Sequence, residues 1–409
     1  MVFSSYGTIV FPLDKWFDTF HDGSENTHQR IIKKTNIKLG IILKITAAVL
    51  RELNQPLEIE ELELAEPKAN EVLVKIDAFG ICHSDYHVVT GLAKQELPVV
   101  LGHEGAGTVI QTGEGVTNVK LGQNVLLNWF PYCKQCPQCT AGNTNHCKTY
   151  MKMLGQGKML DGTTRLTDAN NKPVLQLSGL ACWATHVVVP DIICTKMPKS
   201  TPPEIAALIG CAVTTGVGAV LNQASVHKGS SVVVYGSGGV GLSIIMGCVQ
   251  AGAEKIIAVD RTETKEMIAR NMGATHFVKA GGDTVRVVKD LTEGLGADYA
   301  FDAVGSIEIA EMLLPSLRER GLALLVGVPP ADSRLQVDAT DVFRQEKKLT
   351  GTIYGSADTA VDFEKYAKMY LSGSLPVDKL ISKHYKIEEI NEACREMLSG
   401  EIARGVVTF

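Results

Sequence analysis

From residue 46 to about 125, apolar and polar residues alternate in short runs, as in EVLVKIDAFG (71–80) and GAGTVIQTG (105–113), broken by glycine and proline. A two-residue period bounded by turn formers predicts half-buried strands, so this portion reads as a β-rich domain. Beyond residue 230 the pattern changes. Solid apolar runs, SVVVY (231–235), KIIAVD (255–260), THFV (275–278), DYAFDAV (298–304), LALLVGV (322–328) and KLTGTIY (348–354), are separated by helical patterns such as TKEMIARNM (264–272) and IEIAEMLLPSLRER (307–320). Apolar strands joined by crossover helices are covered on both faces, which predicts an α/β, doubly wound parallel sheet of six strands. After residue 354 the pattern is mixed again and ends in the strand-like GVVTF (405–409).

The first 45 residues follow neither grammar. They carry Asp14, Asp18, Asp22 and Glu25 against a single arginine, Arg30. A secretory leader needs a short basic start and an apolar core, and a transit peptide needs arginines without acids. Residues 1–45 are therefore expected to be a poorly ordered extension without a chemical role, with the foldable sequence beginning near Ile45. Apolar residues make up 45% of the chain and charged residues 21%, the balance of a globular protein with more than one core. The net charge of −5 lacks the basic footprint of a nucleic-acid binder. No apolar stretch is expected to reach the ~20 residues of a membrane span, LGIILKITAAVL (39–50) being interrupted by Lys44. Neither a membrane nor a nucleic acid is an expected partner.

Ten cysteines in a chain of this length point to metal ligation in a reducing, cytoplasmic compartment rather than to a disulfide scaffold. Cys133, Cys136, Cys139 and Cys147 form C-x2-C-x2-C-x7-C. At that spacing four thiolates close a tetrahedron around Zn²⁺ and leave no position for water; an iron–sulfur cluster takes the same four sulfurs. Cys182, Cys194, Cys248 and Cys394 lie in apolar or helical contexts and are assigned no chemistry.

VVVYGSGGVG places Gly236, Gly238 and Gly241 in the G-x-G-x-x-G spacing, with Gly239 and Val240 between them, after an apolar strand and before a helical run. The first glycine permits the tight turn, the second lets backbone approach a pyrophosphate, and the third lets helix and strand pack closely. Asp260 ends the next strand nineteen residues past Gly241, where a carboxylate accepts the adenosine ribose hydroxyls. Its charge repels a 2′-phosphate and favours NAD over NADP, a preference that the adjacent Arg261 softens. Two more segments have a ligand-like look: GICHSDYH (80–87), with Cys82, His83, Asp85 and His87, and LGHEGAG (101–107), with His103 and Glu104. Cys211 stands alone in the bland run GCAVTTGVGAV (210–220).

GICHSDYHVVTG, LGHEGAGTVIQTGEGV, the four-cysteine segment, GCAVTTGVGA and GSGGVGLSIIMGC occur in the order and spacing of the zinc-dependent medium-chain alcohol dehydrogenases. From about residue 46 to Phe409 the chain resembles that family. The resemblance implies a GroES-like catalytic domain from 46–212 and 354–409, with a zinc lobe near 128–150. Residues 213–353 would then form an NAD-binding Rossmann domain. It implies two Zn²⁺ per chain: a catalytic ion on Cys82, His103 and Cys211 with one position open, and a structural ion on the four lobe cysteines. Glu104 would lie behind the catalytic metal, and Asp85 would orient His103. The metal's part is to lower the pKa of the alcohol hydroxyl. Ser84 would receive the proton and pass it by the cofactor ribose to His87, an imidazole suited to release it. Thr215 and Val240 would touch the nicotinamide, Lys265 the adenosine ribose, His83 and Arg404 the pyrophosphate, and Trp129 would wall the substrate pocket.

The implied function is oxidation of primary aliphatic or aromatic alcohols to aldehydes, or the reverse, with NAD, by a homodimer or homotetramer. The thiol-adduct formaldehyde dehydrogenases of the same family carry an acid a few residues beyond His87 and an arginine just after the fourth lobe cysteine. Ala93 and Met151 stand there in this chain, beside Lys94 and Lys152, which disfavours that substrate. A relative that binds cofactor without catalysis would have lost a metal ligand or the relay hydroxyl, and Cys82, Ser84, His103 and Cys211 are all present.

Overall fold

The computed structural model describes residues 42–409, so the expected extension lies, up to residue 41, outside the described residues. The first strand, Leu43–Leu50, begins slightly before the expected start of the foldable sequence. It pairs with Glu58–Leu64 and closes a small barrel with Leu166–Thr167, Pro173–Gln176 and Val99–Val100. A second sheet runs in the order Cys194–Lys196, Asn124–Leu127, Gly105–Thr112, Glu71–Gly80, Arg404–Thr408, Ile381–Tyr385, with His186–Pro190 also on Glu71–Gly80. The C-terminal strands thus return to the β-rich half of the chain, and the pairing of Val406 with Gly80 brings Arg404 beside that strand's end.

The third sheet has six strands, all parallel, in the order His276–Lys279, Lys255–Asp260, Ser231–Tyr235, Ala297–Asp302, Leu317–Leu325, Lys348–Gly351. The order reverses between Ser231–Tyr235 and Ala297–Asp302, and a crevice opens at such a switch point beyond the carboxyl ends of the strands. The expected α/β class, with a doubly wound sheet beside a β-rich unit, is the architecture observed. Several boundaries differ: the strands expected over 298–304 and 348–354 end earlier, at Asp302 and Gly351. The helix expected over 307–320 stops at Leu313, a single turn follows, and the fifth strand starts at Leu317. Pro315 in that turn cannot continue a helix, so Arg318, Glu319 and Arg320 become the exposed start of a strand.

A single helical run, Pro203–Ala224, joins the two halves and is the structural key to the site. Its 22 residues are long and apolar enough to cross a membrane, which corrects the expectation that no stretch reaches that length. The run is instead buried in the protein, its Ile205, Leu208, Val213, Val217 and Val220 packed with Leu242 and Ile245 of helix Gly239–Ala251. Gly216 and Gly218 let neighbouring backbone approach closely. A side chain at Gly216, for example, would collide with the Ser243 side chain and the Val240 carbonyl.

Candidate active site

Three segments distant in sequence converge between the β-rich unit and the parallel sheet. Cys82 is the N-cap of a short helix, His83–Val89, which follows directly on strand Glu71–Gly80. His103 and Glu104 precede strand Gly105–Thr112. Cys211 lies within a widened, π-type turn, Ile209–Val213, in the Pro203–Ala224 run. Thr214 stabilises that turn by donating its hydroxyl to the Ile209 carbonyl at 2.6 Å. Such turns expose side chains at angles a regular helix does not offer, and they recur at functional sites.

Side-chain donor atoms of Cys82, His103, Glu104 and Cys211 all lie within 4.8 Å of one another, and all four residues are buried. His103 Nε2 is 3.3 Å from Cys211 Sγ. On the other side of the ring, Nδ1–H donates to Asp85 Oδ1 at 2.9 Å, which fixes the tautomer and leaves the Nε2 lone pair facing the sulfurs. Asp85 is fully buried, and its Oδ1 also accepts the Gly102 N–H at 3.0 Å. The Cys82 thiol is held well below its usual range, first by its hydrogen bond with Cys211 and, against burial, by His103 and Arg404. Cys211 moves the opposite way, raised by the same contact and by burial. One thiolate is thus already favoured in the site.

Glu104 is fully buried and pairs with Arg404 Nη2 through Oε2, while Oε1 has no hydrogen-bond partner among the described residues. Burial pushes its carboxyl up to about 8 against the pull of Arg404. Only glycine fits at position 80, because a side chain there would occupy the space of the Glu104 carboxylate. Two thiols, an imidazole and an unsatisfied carboxylate oxygen, converging in a buried space, form a donor set that suits Zn²⁺.

The second group is the four-cysteine lobe. Cys136 and Cys139 sulfurs lie 3.5 Å apart, Cys133 and Cys139 4.0 Å apart, and all four lie within 4.8 Å of one another. The Cys133 N–H points at Cys147 Sγ and the Cys136 N–H at Cys133 Sγ, both at 3.3 Å. Hydrogen bonds from Thr149, Gln135 and Cys136 draw the Cys133 thiol down to about 6, the direction thiolate ligation requires. Cys182, Cys194, Cys248 and Cys394 are free and buried, and burial raises each of them, so they are inert.

At the switch point, Gly236 has φ +96°, a conformation that favours glycine, and a side chain at Gly241 would collide with the Gly236 carbonyl. Helix Gly239–Ala251 starts there, and above Gly238 there is open space, since a Cβ would meet nothing within 4 Å. These features form a cradle for a pyrophosphate. Asp260 accepts the N–H groups of Ser237 at 2.7 Å and Thr262 at 3.0 Å, so its carboxylate holds the rim of that turn in place. Val240 and Thr215 are partly exposed. Arg404 packs against Gly239, where a side chain would strike its Cδ, so this one guanidinium touches both the glycine turn and Glu104. Lys265, expected toward the adenosine ribose, is buried and donates to the Ile402 carbonyl at 2.8 Å. His83 keeps an exposed face, and its imidazole is lowered by partial desolvation and by the nearby charges of Arg404 and Lys265. Ser84 and His87 stand three residues apart on helix His83–Val89, hence on one face.

Trp129 is half-buried, with its ring 6.2 Å from His103 in an edge arrangement. Its nearest ring neighbour is Tyr354 at 4.7 Å. Sequence reading had no signal for Tyr354, which sits at the end of an expected strand, or for its neighbours Asn128 and Thr359, joined by a 2.9 Å hydrogen bond.

Comparison with known proteins settles the family. The "Alcohol dehydrogenase GroES-like domain" model matches residues 68–199, and the "Zinc-binding dehydrogenase" model matches residues 239–372. The chain belongs to the zinc-dependent medium-chain alcohol dehydrogenases. Among curated relatives, alcohol dehydrogenase class-3 of Cereibacter sphaeroides is 37% identical over 377 residues, covering 90% of this chain and 100% of the relative. S-(hydroxymethyl)glutathione dehydrogenase of Paracoccus denitrificans is 36% identical over 376 residues, with 90% and 100% covered. Among solved structures, benzyl alcohol dehydrogenase of Acinetobacter calcoaceticus superposes with a TM-score of 0.85 at 31% identity, covering 90% and 99% of the two chains. This dehydrogenase is an oxidoreductase, and zinc and NAD(H) fit its two donor clusters and its glycine cradle.

Proposed function

We propose that the enzyme oxidises primary alcohols to aldehydes, or reduces aldehydes, at the cluster of Cys82, His103 and Cys211, with the four-cysteine lobe holding a second, structural zinc. The observation that carries this reading is the convergence of two sulfurs and the free His103 nitrogen beside an aromatic wall. A zinc ion on those three residues supplies a Lewis acid that lowers the pKa of an alcohol hydroxyl, and NAD on the glycine turn supplies the hydride acceptor. Asp85 keeps the His103 ring in register. Ser84 Oγ takes the alcohol proton, and the His87 imidazole on the same helix face releases it toward solvent. Glu104, restrained by Arg404, supplies a carboxylate for ligand exchange. His83 and Arg404 counter pyrophosphate charge, Lys265 and Asp260 serve the adenosine ribose, and Thr215 and Val240 line the nicotinamide pocket.

Trp129 presents flat apolar surface next to His103, backed by the buried Tyr354 ring, which suits an alkyl or aromatic primary alcohol. The name of the Paracoccus denitrificans relative supports a second reading, S-(hydroxymethyl)glutathione as substrate. Against it, Ala93 packs on the apolar core and Met151 is a partly exposed thioether, so neither position offers a charge to the peptide's carboxylates and amine. Steady-state kinetics with ethanol, longer alkanols, benzyl alcohol and S-(hydroxymethyl)glutathione tests the choice. The proposal expects kcat/KM for benzyl alcohol and medium alkanols to exceed that for the thiol adduct at least tenfold; the reverse order overturns it. We place the enzyme in the cytoplasm, in keeping with ten cysteines that form no disulfide among the described residues. We assign catalytic residues 46–212 and 354–409, cofactor-binding residues 213–353, and a homodimeric or homotetrameric assembly.

A further inference from the structure

Tyr354, Gly355 and Ser356 form a turn in which three consecutive residues have positive φ, of 57°, 63° and 50°. Side chains rarely adopt this conformation, and the flanking Tyr354 and Ser356 keep it only because surrounding contacts hold them. Those contacts come from the Pro203–Ala224 run and from the four-cysteine lobe. Gly355 lies so close to the Pro203–Ala224 run that a side chain would collide with the Thr214 and Thr215 carbonyls. Ser356 donates its hydroxyl to Gln223 Oε1 at 2.7 Å. From the lobe, Asn145 Nδ2 donates to the Ile353 carbonyl at 3.0 Å, and Thr144 Oγ1 donates to the Ala357 carbonyl at 3.4 Å.

Held this way, the buried Tyr354 side chain does two things. Its hydroxyl donates to the Gly210 carbonyl, one residue before Cys211 in the widened turn. Its ring lies 4.7 Å from Trp129, whose indole N–H has no partner among the described residues and so cannot fix the ring by itself. We propose that Tyr354 is a positioning residue that sets both the direction of the Cys211 sulfur and the place of the Trp129 wall, with the four-cysteine lobe bracing the turn that carries it.

The inference rests on the proposed metal role of Cys82, His103 and Cys211. The test uses the full-length enzyme loaded with cobalt(II) at the catalytic site, together with the rate at which the zinc enzyme loses catalytic metal to dipicolinate. In Tyr354→Phe the thiolate–cobalt bands should shift and metal loss should quicken by about tenfold or more, the lower end of the range for groups that orient a ligand. Tyr235→Phe is the control, since it removes another buried hydroxyl, bonded to Ser316 at 2.5 Å in a different core. It should leave both readouts unchanged, and urea midpoints of the two variants separate general destabilisation from a local change. In Tyr354→Leu, KM for benzyl alcohol should rise relative to KM for ethanol. Unaltered bands and release rate in Tyr354→Phe, or equal changes in Tyr235→Phe, overturn the assignment of Tyr354 alone. Absence of thiolate–cobalt bands in the unmutated enzyme overturns the metal site beneath it.

Discussion

Asp85 and His103 meet in the protein interior, Oδ1 against Nδ1 at 2.9 Å, and this contact turns the imidazole so that its other nitrogen lies 3.3 Å from Cys211 Sγ. A carboxylate is costly to bury, and Asp85 is fully buried with its Oδ2 unpaired among the described residues. The structure keeps that charge where it orients the His103 imidazole. Asp85→Asn preserves shape but weakens the contact. It should lower catalytic zinc affinity about 10–100-fold with an unchanged circular dichroism spectrum, measured by competition with a chromophoric chelator. Unchanged affinity would remove Asp85 from its role.

Asp260 holds two backbone N–H groups and retains lone pairs for a ribose. Asp260→Ser should raise KM for NAD about tenfold, the size of one charge-assisted hydrogen bond, and lower the preference for NAD over NADP by at least as much. Initial rates with both cofactors read this directly. An unaltered ratio would mean that discrimination resides elsewhere.

The lobe fastens to residues 353–357 through Asn145 and Thr144, so its metal should support the neighbouring turn as well as itself. Cys139→Ser should reduce zinc by about one ion per chain and lower Tm by roughly 5 °C or more. Elemental analysis and a thermal melt on the same sample decide it; a full zinc complement would exclude the lobe as a metal site.

His186, buried on strand His186–Pro190, supplies a pH dependence away from the active site. Desolvation, aided by Lys75, lowers its pKa from 6.5 to about 4. The unfolded chain therefore binds a proton below pH 6.5 that the folded chain refuses until about pH 4, and stability is lost as pH falls through that window. The loss amounts to at most roughly 3 kcal/mol. His186→Gln should flatten the fall in urea midpoint between pH 7 and pH 4.5 relative to the unmutated enzyme, and parallel curves would contradict the assignment.

Much of this architecture is legible where local pattern and tertiary environment agree. Strands Glu71–Gly80, Ser231–Tyr235 and Lys255–Asp260 begin and end where the alternation and apolar runs place them. The lobe cysteines and the glycine turn are local motifs whose spacing encodes their geometry. Contacts made only by folding escape a linear reading. Tyr354 reaches Gly210 across 144 positions, and Arg404 reaches Glu104 across 300. Lys265 also donates to the Ile402 carbonyl, a contact that arises only because the C-terminal strands return beside the glycine turn. Pro203–Ala224 escaped notice as a long apolar helix because glycine, alanine and threonine interrupt its larger side chains.

The most direct test of the active site is Cys211→Ala assayed for zinc, NAD binding and alcohol-dependent NADH formation in one preparation. The account predicts zinc falling from about two ions per chain to about one, loss of alcohol-dependent NADH formation, and NAD affinity preserved within about threefold. A variant that keeps both its zinc and its alcohol oxidation would contradict it.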